Sequence, residues 1–117
     1  MSERDYRLFF RDILDSISKI ESYTAGVDFN KFRVDSMRID AVIRNFEVIG
    51  EASSNIPEAI QEKYSKIPWS KMKAMRNLVI HEYFGVDLSI TWKTAKKSLP
   101  KLKKQIEQAM DREKGNI

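Results

Sequence analysis

Apolar side chains recur three or four positions apart near the start of the chain, which places them in one stripe on a helix. The stripe consists of Tyr6, Phe9, Phe10, Ile13, Ile17 and Ile20. It predicts a helix over about 3–22, with Ser2 as the N-cap and Asp5 near the N3 position. Gly26 follows at a suitable distance to occupy the C′ position beyond the helix.

A second long helix is predicted over about 35–54 by the same spacing. Its buried face is expected to contain Ile39, Val42, Ile43, Phe46 and Ile49. Three small residues, Gly50, Ala52 and Ser53, keep one side of this helix thin. Because a residue without a large side chain lets another backbone come close, we expect a second helix to pack there.

The remaining pattern predicts a short helix over about 57–64, a helix over about 70–83, and a last helix that begins after Asp87. Pro57 suits the first position of the short helix. Pro100 should kink or split the last one, because proline lacks the N–H that the carbonyl four residues back requires. The final residues, 112–117, are expected to fray.

No alternation typical of strands is present, so the sequence predicts an all-α bundle of four or five helices. A chain of 117 residues is best interpreted as a single domain, 1–117. No apolar run could span a bilayer and the N-terminus lacks the apolar region of a signal peptide, so we expect a cytoplasmic protein. The absence of cysteine excludes disulfides, thiolate metal sites and cysteine nucleophiles. With only one histidine, a histidine-rich metal site is not expected, and no cofactor is predicted.

Charge is distributed unevenly along the chain. Residues 1–58 carry 8 Lys/Arg and 11 Asp/Glu, whereas residues 59–117 carry 13 and 6. Within the basic half, residues 93–104 contain six lysines and no acidic residue. Such a run is typical of a solvated helix face, and the same residues could also form a surface for a polyanion such as RNA.

The chemically most suggestive segment runs from Arg76 to Tyr83 and contains the single histidine, His81. On a continuous helix, five residues correspond to a rotation of about 140°, so Arg76 and His81 would flank a groove. Asn77 would lie one turn from His81, and Tyr83 would return to the face of Arg76.

These side chains could cleave RNA without a metal ion. Neutral His81 would take the 2′-OH proton, while Arg76 would bind the phosphate and stabilise its charge. Asn77 could orient the imidazole or bind the phosphate. The leaving oxygen needs a second proton donor, which a symmetric dimer would supply. On the other hand, a single histidine near a helix end is commonly a surface or capping residue, and this spacing also arises by chance.

Three blocks of sequence contain or flank this segment: DAVIRNFEVIGEA at 40–52, IPW at 67–69 leading into MRNLVIHEYFGVD at 75–87, and LPKL at 99–102. Together, and in this order, they closely resemble the HepT-like branch of the HEPN superfamily. The resemblance covers almost the entire chain. The segment also matches that family's Arg-x4-His-x-Tyr motif without departure.

The resemblance implies a small all-helical prokaryotic protein that forms a homodimer. Many relatives are toxins of type VII toxin–antitoxin systems and are viewed as metal-independent endoribonucleases. By this resemblance, Arg76 and His81 carry catalysis in a cleft that the dimer composes. The partners are RNA and an MntA-like nucleotidyltransferase antitoxin, and the dimer can belong to a larger complex with it. Tyr83 would be the tyrosine that the antitoxin modifies with AMP.

Several assignments stay open at this point. Asn45 and Glu51, in the family-like block of the second long helix, could face the cleft or serve in packing or capping. Trp69 could stack on a base, but we favour a buried anchor. Two other functions also remain: a non-catalytic nucleotide-binding or assembly partner of a nucleotidyltransferase, and a purely structural helical protein.

Overall fold

The computed structural model describes residues 5–77 and 88–114, and within these ranges the secondary structure is helical with no strand. The prediction of an all-α fold is therefore confirmed. No helix in the two ranges is long and apolar enough to cross a membrane. In chain order the elements are α1 (Tyr6–Thr24), α2 (Phe29–Phe32), α3 (Ser36–Asn55), α4 (Glu58–Lys63), α5 (Trp69–Ala74), α6 (Leu88–Lys93), a π-helical turn (Thr94–Ser98) and α7 (Leu99–Lys114).

The core forms where α1 packs against α3 and α7, while α5 packs against α3. The two predicted apolar stripes contribute to it, because their side chains repeat at helical spacing and therefore face the same way. From α1, Phe10, Ile13, Ile17 and Ile20 are fully buried. From α3, Val42, Phe46 and Ile49 are fully buried.

The start of α1 differs from the prediction. Asp5 is the N-cap and not an N3 residue, since its carboxylate accepts a hydrogen bond of 3.0 Å from the backbone N–H of Arg7. Ser2 lies outside the described residues. The predicted end of the helix is confirmed, because Ala25 is the C-cap and Gly26 follows with a φ of 69°, in the left-handed region that glycine tolerates best.

The helix predicted over 70–83 is wrong in one respect: α5 begins at Trp69 and ends at Ala74. Met75 and Arg76 form a turn instead, in which their N–H groups donate to the carbonyls of Met72 (3.1 Å) and Lys73 (3.4 Å). These three-residue steps are tighter than an α-helical turn. Consequently, α5 does not continue through Arg76 as the prediction required. Residues 78–87 lie outside the described ranges.

Near Pro100 the helical geometry changes locally, but the helical structure continues through it. The π-helical turn Thr94–Ser98 ends immediately before α7, and Leu99 N–H donates to the Thr94 carbonyl five residues back. Since the proline ring crowds the carbonyl four residues earlier, a wider turn accommodates it. Pro57 likewise precedes its short helix as the N-cap, one position earlier than predicted.

The C-terminal end of α7 is anchored and not frayed as far as Lys114, which corrects the expectation for residues 112–114. Glu113 is only 3% exposed. Its carboxylate accepts hydrogen bonds from the hydroxyls of Tyr6 and Tyr64 and pairs with Lys63 Nζ at 2.9 Å. This network joins α1, the end of α4 and α7, and its hydrogen bonds, led by that of Lys63, lower the pKa of Glu113 to about 2.

Candidate functional site

Arg76 lies in the turn after α5, where the backbone contacts α3 at Gly50. A β-carbon on Gly50 would lie 2.5 Å from Cγ of Arg76 and 2.9 Å from its backbone nitrogen. Contacts below 3.0 Å force a displacement, so only glycine permits this approach. The thin side of α3 predicted from the sequence is therefore confirmed, and it is the surface that positions Arg76.

The guanidinium of Arg76 forms an ion pair with Glu51, the residue after Gly50. Nη1 of Arg76 donates to Oε2 of Glu51 at 3.0 Å. Both side chains remain accessible, with 46% of Arg76 and 62% of Glu51 exposed. Because a guanidinium carries five N–H donors, a bond to one carboxylate oxygen does not exhaust its capacity to bind a phosphate. The arrangement presents a fixed, accessible cation.

Asn77 and Asn45 occupy different environments. Asn77 is exposed and directly follows Arg76. Asn45 is buried, and its Nδ2 donates to the carbonyl of Ala41 at 2.8 Å on its own helix. Asn45 also precedes Glu51 by six residues, or about 9 Å along a helix axis. The structure thus brings Glu51 and Asn77 to the neighbourhood of Arg76, and it places Asn45 in the packing of α3.

His81 and Tyr83 lie outside the described residues, so the structure does not relate either of them to Arg76. Trp69 is described, and it is the buried anchor that the sequence favoured. It is 8% exposed, its Nε1 donates to the Tyr64 carbonyl at 3.1 Å, and its ring meets Phe10 edge-on at 6.3 Å. Among the described residues, no group of three or more His, Asp or Glu could hold a metal ion.

The lysine-rich segment divides among several surfaces, which the sequence alone did not reveal. Lys96 bonds the Thr24 carbonyl at 3.0 Å and lies over the Trp92 ring, while Lys103 pairs with Glu21 at 2.9 Å. Lys97 and Lys101, in contrast, line a cavity of about 550 Å³ beside α5. Their four-residue spacing was the one available signal that these two lysines share a face.

The sequence profile of the family described as "Ribonuclease HepT-like" matches residues 13–109. The chain belongs to this HepT-like family. The match includes both Glu51 and Arg76, so the exposed ion pair lies within the family region. It agrees with the resemblance inferred from the three sequence blocks.

Three curated relatives of the HepT-like chain align with it over nearly their whole length. One is "Probable ribonuclease HepT" of Thermococcus cleftensis, 42% identical over 105 residues, covering 90% of this chain and 96% of the relative. Another is "Putative RNase MJ1380" of Methanocaldococcus jannaschii, 43% identical over 107 residues, covering 92% and 98%. A bacterial relative, "Putative RNase TTE0752" of Caldanaerobacter subterraneus, is 38% identical over 108 residues, covering 92% and 96%. No solved structure matches the chain.

Proposed function

We propose that this chain is a metal-independent endoribonuclease toxin that acts in the prokaryotic cytoplasm and is regulated by a nucleotidyltransferase antitoxin. One observation supports the proposal most strongly. Arg76, the first residue of the Arg-x4-His-x-Tyr motif, is an accessible guanidinium that Gly50 and Glu51 hold in place. Membership of the ribonuclease HepT-like family and relatives named as RNases also support it.

The proposed reaction is a transesterification within the RNA. Neutral His81 removes the proton of a 2′-hydroxyl, and the 2′-oxygen attacks the adjacent phosphorus. The bond between phosphorus and the 5′-oxygen breaks, leaving a 2′,3′-cyclic phosphate and a 5′-hydroxyl. Arg76 binds the non-bridging oxygens and stabilises the charge that develops on them. Asn77 either orients the imidazole or binds the same phosphate.

A homodimer completes this reaction in the proposal. The departing 5′-oxygen needs a proton, and in an in-line displacement it lies on the side of phosphorus opposite the attacking 2′-oxygen. The single histidine of one chain cannot reach both oxygens at once. A second copy would contribute a protonated His81 from the opposite side of a shared cleft. Arg76 and Glu51 of each copy would then border that cleft.

Regulation is proposed to act through Tyr83, two residues beyond His81. A nucleotidyltransferase antitoxin of the MntA type would transfer AMP from ATP to the phenolic oxygen, which loses its proton while pyrophosphate leaves. The phosphodiester adds negative charge and bulk beside the histidine, and both oppose the approach of an RNA phosphate. The toxin dimer and the antitoxin can form a larger complex.

The test is an RNA cleavage assay in EDTA with protein that has been purified without antitoxin and shown by mass spectrometry to lack AMP. Wild type should cleave cellular RNA, and Arg76→Ala and His81→Ala should each reduce the rate by about 100-fold or more. Arg44→Ala is the matched control, because Arg44 is also an accessible arginine paired with a glutamate, Glu47 at 3.4 Å. Equal rates for wild type and His81→Ala would refute the catalytic proposal.

The same preparation distinguishes the toxin hypothesis from the hypothesis of a non-catalytic binding module. Co-expression with the antitoxin should add one or more AMP units to wild type and none to Tyr83→Phe, and the modified protein should lose RNA cleavage. Tight nucleotide binding without RNA cleavage by the unmodified protein would instead favour the non-catalytic partner of a nucleotidyltransferase.

A further inference from the structure

Two neighbouring cavities run along α7 and share one wall. The first, of about 550 Å³, lies between α5 and the start of α7. The second, of about 370 Å³, lies between the segment joining α4 to α5 and the middle of α7. Lys66 and Gln105 line both, and Gln105 Nε2 donates to the Lys66 carbonyl at 3.1 Å. We call the two cavities together the α7 groove.

One polar stripe of the last helix forms a side of the α7 groove. Successive members stand four, four, three and four residues apart, which is the spacing of a single helical face. They are Lys97, Lys101, Gln105, Gln108 and Arg112. Lys97, at one end of the stripe, lies in the π-helical turn that immediately precedes α7.

The α7 groove is lined by cations without an acidic residue among its described lining. Five of these are exposed, namely Lys66, Lys71, Lys97, Lys101 and Arg112. A sixth, Lys63, is paired with the buried Glu113. Like charges that line the same cavity repel one another, and an anion bound among them would relieve this repulsion. The charge pattern therefore points to a polyanionic occupant.

We infer that the α7 groove binds a single-stranded RNA segment that flanks the cleaved bond. Its lysines would contact successive phosphates, while the half-buried Pro68 and the exposed Ala74 give it an apolar patch for a base. A cavity of about 550 Å³ is of the size that holds small ligands and exposed nucleotides. A second copy of the chain is a less suitable occupant. In a two-fold contact the positive grooves of the two copies would face each other and repel.

The first cavity extends to the residue that precedes the proposed catalytic residue, Arg76. Met75 lines the first cavity, and Arg76 follows it in the turn that ends α5. The first cavity and the turn that carries Arg76 therefore both adjoin the C-terminal end of α5. A strand bound in the groove could pass around this end and place a neighbouring phosphate at Arg76. This inference rests on the proposed function insofar as Arg76 binds the cleaved phosphate.

The test measures binding separately from cleavage. Full-length protein carrying His81→Ala is titrated with fluorescent single-stranded RNA at several salt concentrations. Adding Lys97→Ala and Lys101→Ala should weaken binding roughly tenfold. The slope of the logarithm of the binding constant against the logarithm of the salt concentration should also become shallower, by about 0.7 for each phosphate that a lysine no longer neutralises. Lys19→Ala with Lys31→Ala is the matched control, because both lysines are exposed and line neither cavity, and it should change affinity less than about twofold.

Other results would overturn the inference. Equal reductions of affinity in the groove and control variants would indicate a general charge effect. Unchanged RNA affinity together with loss of the dimer, or of association with an acidic protein, would identify a protein interface. Efficient competition by an RNA duplex would contradict the single-stranded occupant.

Cleavage by the same groove variants with His81 restored separates this inference from the proposed function. A raised KM for RNA with kcat retained supports the groove, whereas wild-type KM and kcat overturn it. If wild type cleaves nothing yet the groove variants lose RNA binding, the ribonuclease proposal falls and the groove remains.

Discussion

Gly50 and Arg76 are in such close contact that a β-carbon on Gly50 would lie 2.5 Å from Cγ of Arg76 and 2.9 Å from its backbone nitrogen. The side-chain carbon could move aside, but the backbone nitrogen cannot move without shifting the turn after α5. The position of the motif arginine is therefore tied to the absence of a side chain at this point on α3.

Gly50→Ala should consequently displace Arg76. The clash should cost about 1–3 kcal/mol, offset by about 0.5–1 kcal/mol because alanine favours the interior of a helix. We expect a net loss of stability of about 1–2 kcal/mol in urea unfolding. RNA cleavage, measured where the variant remains folded, should fall much further than stability alone explains.

Gly26→Ala provides the matched control for that change. Gly26 has a φ of 69°, and no atom lies within 4 Å of the place that a β-carbon would occupy, so its substitution strains the backbone without a clash. It should cost about 1–2 kcal/mol of stability and leave cleavage by the folded protein intact. If both variants lose cleavage equally, the contact of Gly50 with Arg76 does not position the site.

Glu51→Gln tests what the carboxylate contributes to the site. An accessible ion pair of this kind contributes about 0–1 kcal/mol, so unfolding should change little. RNA affinity should rise several-fold, because the negative charge of Glu51 beside Arg76 no longer repels the phosphate. Fluorescence anisotropy with labelled RNA, in the His81→Ala background, measures the change.

Glu47→Gln is the comparison, since Glu47 lies one turn earlier on α3 and pairs with Arg44. It removes the same charge without touching Arg76. An equal rise in affinity for both variants would show that overall charge, and not the pair with Arg76, is responsible.

The sequence predicted the core well because burial depends on a repeating pattern. The apolar stripes of α1 and α3 were both identified, and α3 was placed within a residue of its observed bounds at Ser36 and Asn55. The early end of α5 was missed for a physical reason. Nothing at Met75 or Arg76 breaks a helix locally, and the turn there accompanies a contact with Gly50, a residue 26 positions earlier.

In the candidate site, too, the residues could be selected from the sequence, whereas their contacts could not. Glu51 and Arg76 were selected by family-like sequence, yet their 3.0 Å contact follows only from the packing of α5 on α3. The α7 groove requires Lys66 and Lys71 to meet Lys97 and Lys101, and linear spacing cannot show this. Buried Glu113 was likewise unforeseen, because its partners Tyr6, Lys63 and Tyr64 lie far away in the chain.

Acid should destabilise the protein through Glu113. Hydrogen bonds from Lys63, Tyr6 and Tyr64 lower its pKa from 4.5 to about 2 in the folded state. A lowered folded-state pKa stabilises the fold above pH 4.5, and this stability is lost as pH falls from about 4.5 toward 2. At about 1.4 kcal/mol per pKa unit, the loss is about 3 kcal/mol. Urea unfolding at a series of pH values measures it.

Glu113→Gln should remove most of this acid dependence and lower stability at neutral pH by about 1–3 kcal/mol. Glu107→Gln is the control on the same helix, because Glu107 is exposed. It should leave both the neutral stability and the acid transition unchanged. An acid transition that persists in Glu113→Gln would assign the effect to other carboxylates.

Catalysis, unlike stability, should respond to pH in the range where histidine titrates. In the proposed dimer one His81 must be neutral to accept the 2′-OH proton, while the second copy must be protonated to donate to the 5′-oxygen. The cleavage rate should therefore follow a bell centred at roughly pH 6–8. Single-turnover cleavage of a defined RNA, followed across this range, measures the profile. The Glu113 transition lies below pH 4.5, so unfolding through that network should not distort the bell. A flat profile across the range would contradict acid–base catalysis by His81, and it would leave Arg76 as a phosphate-binding residue of a non-catalytic protein.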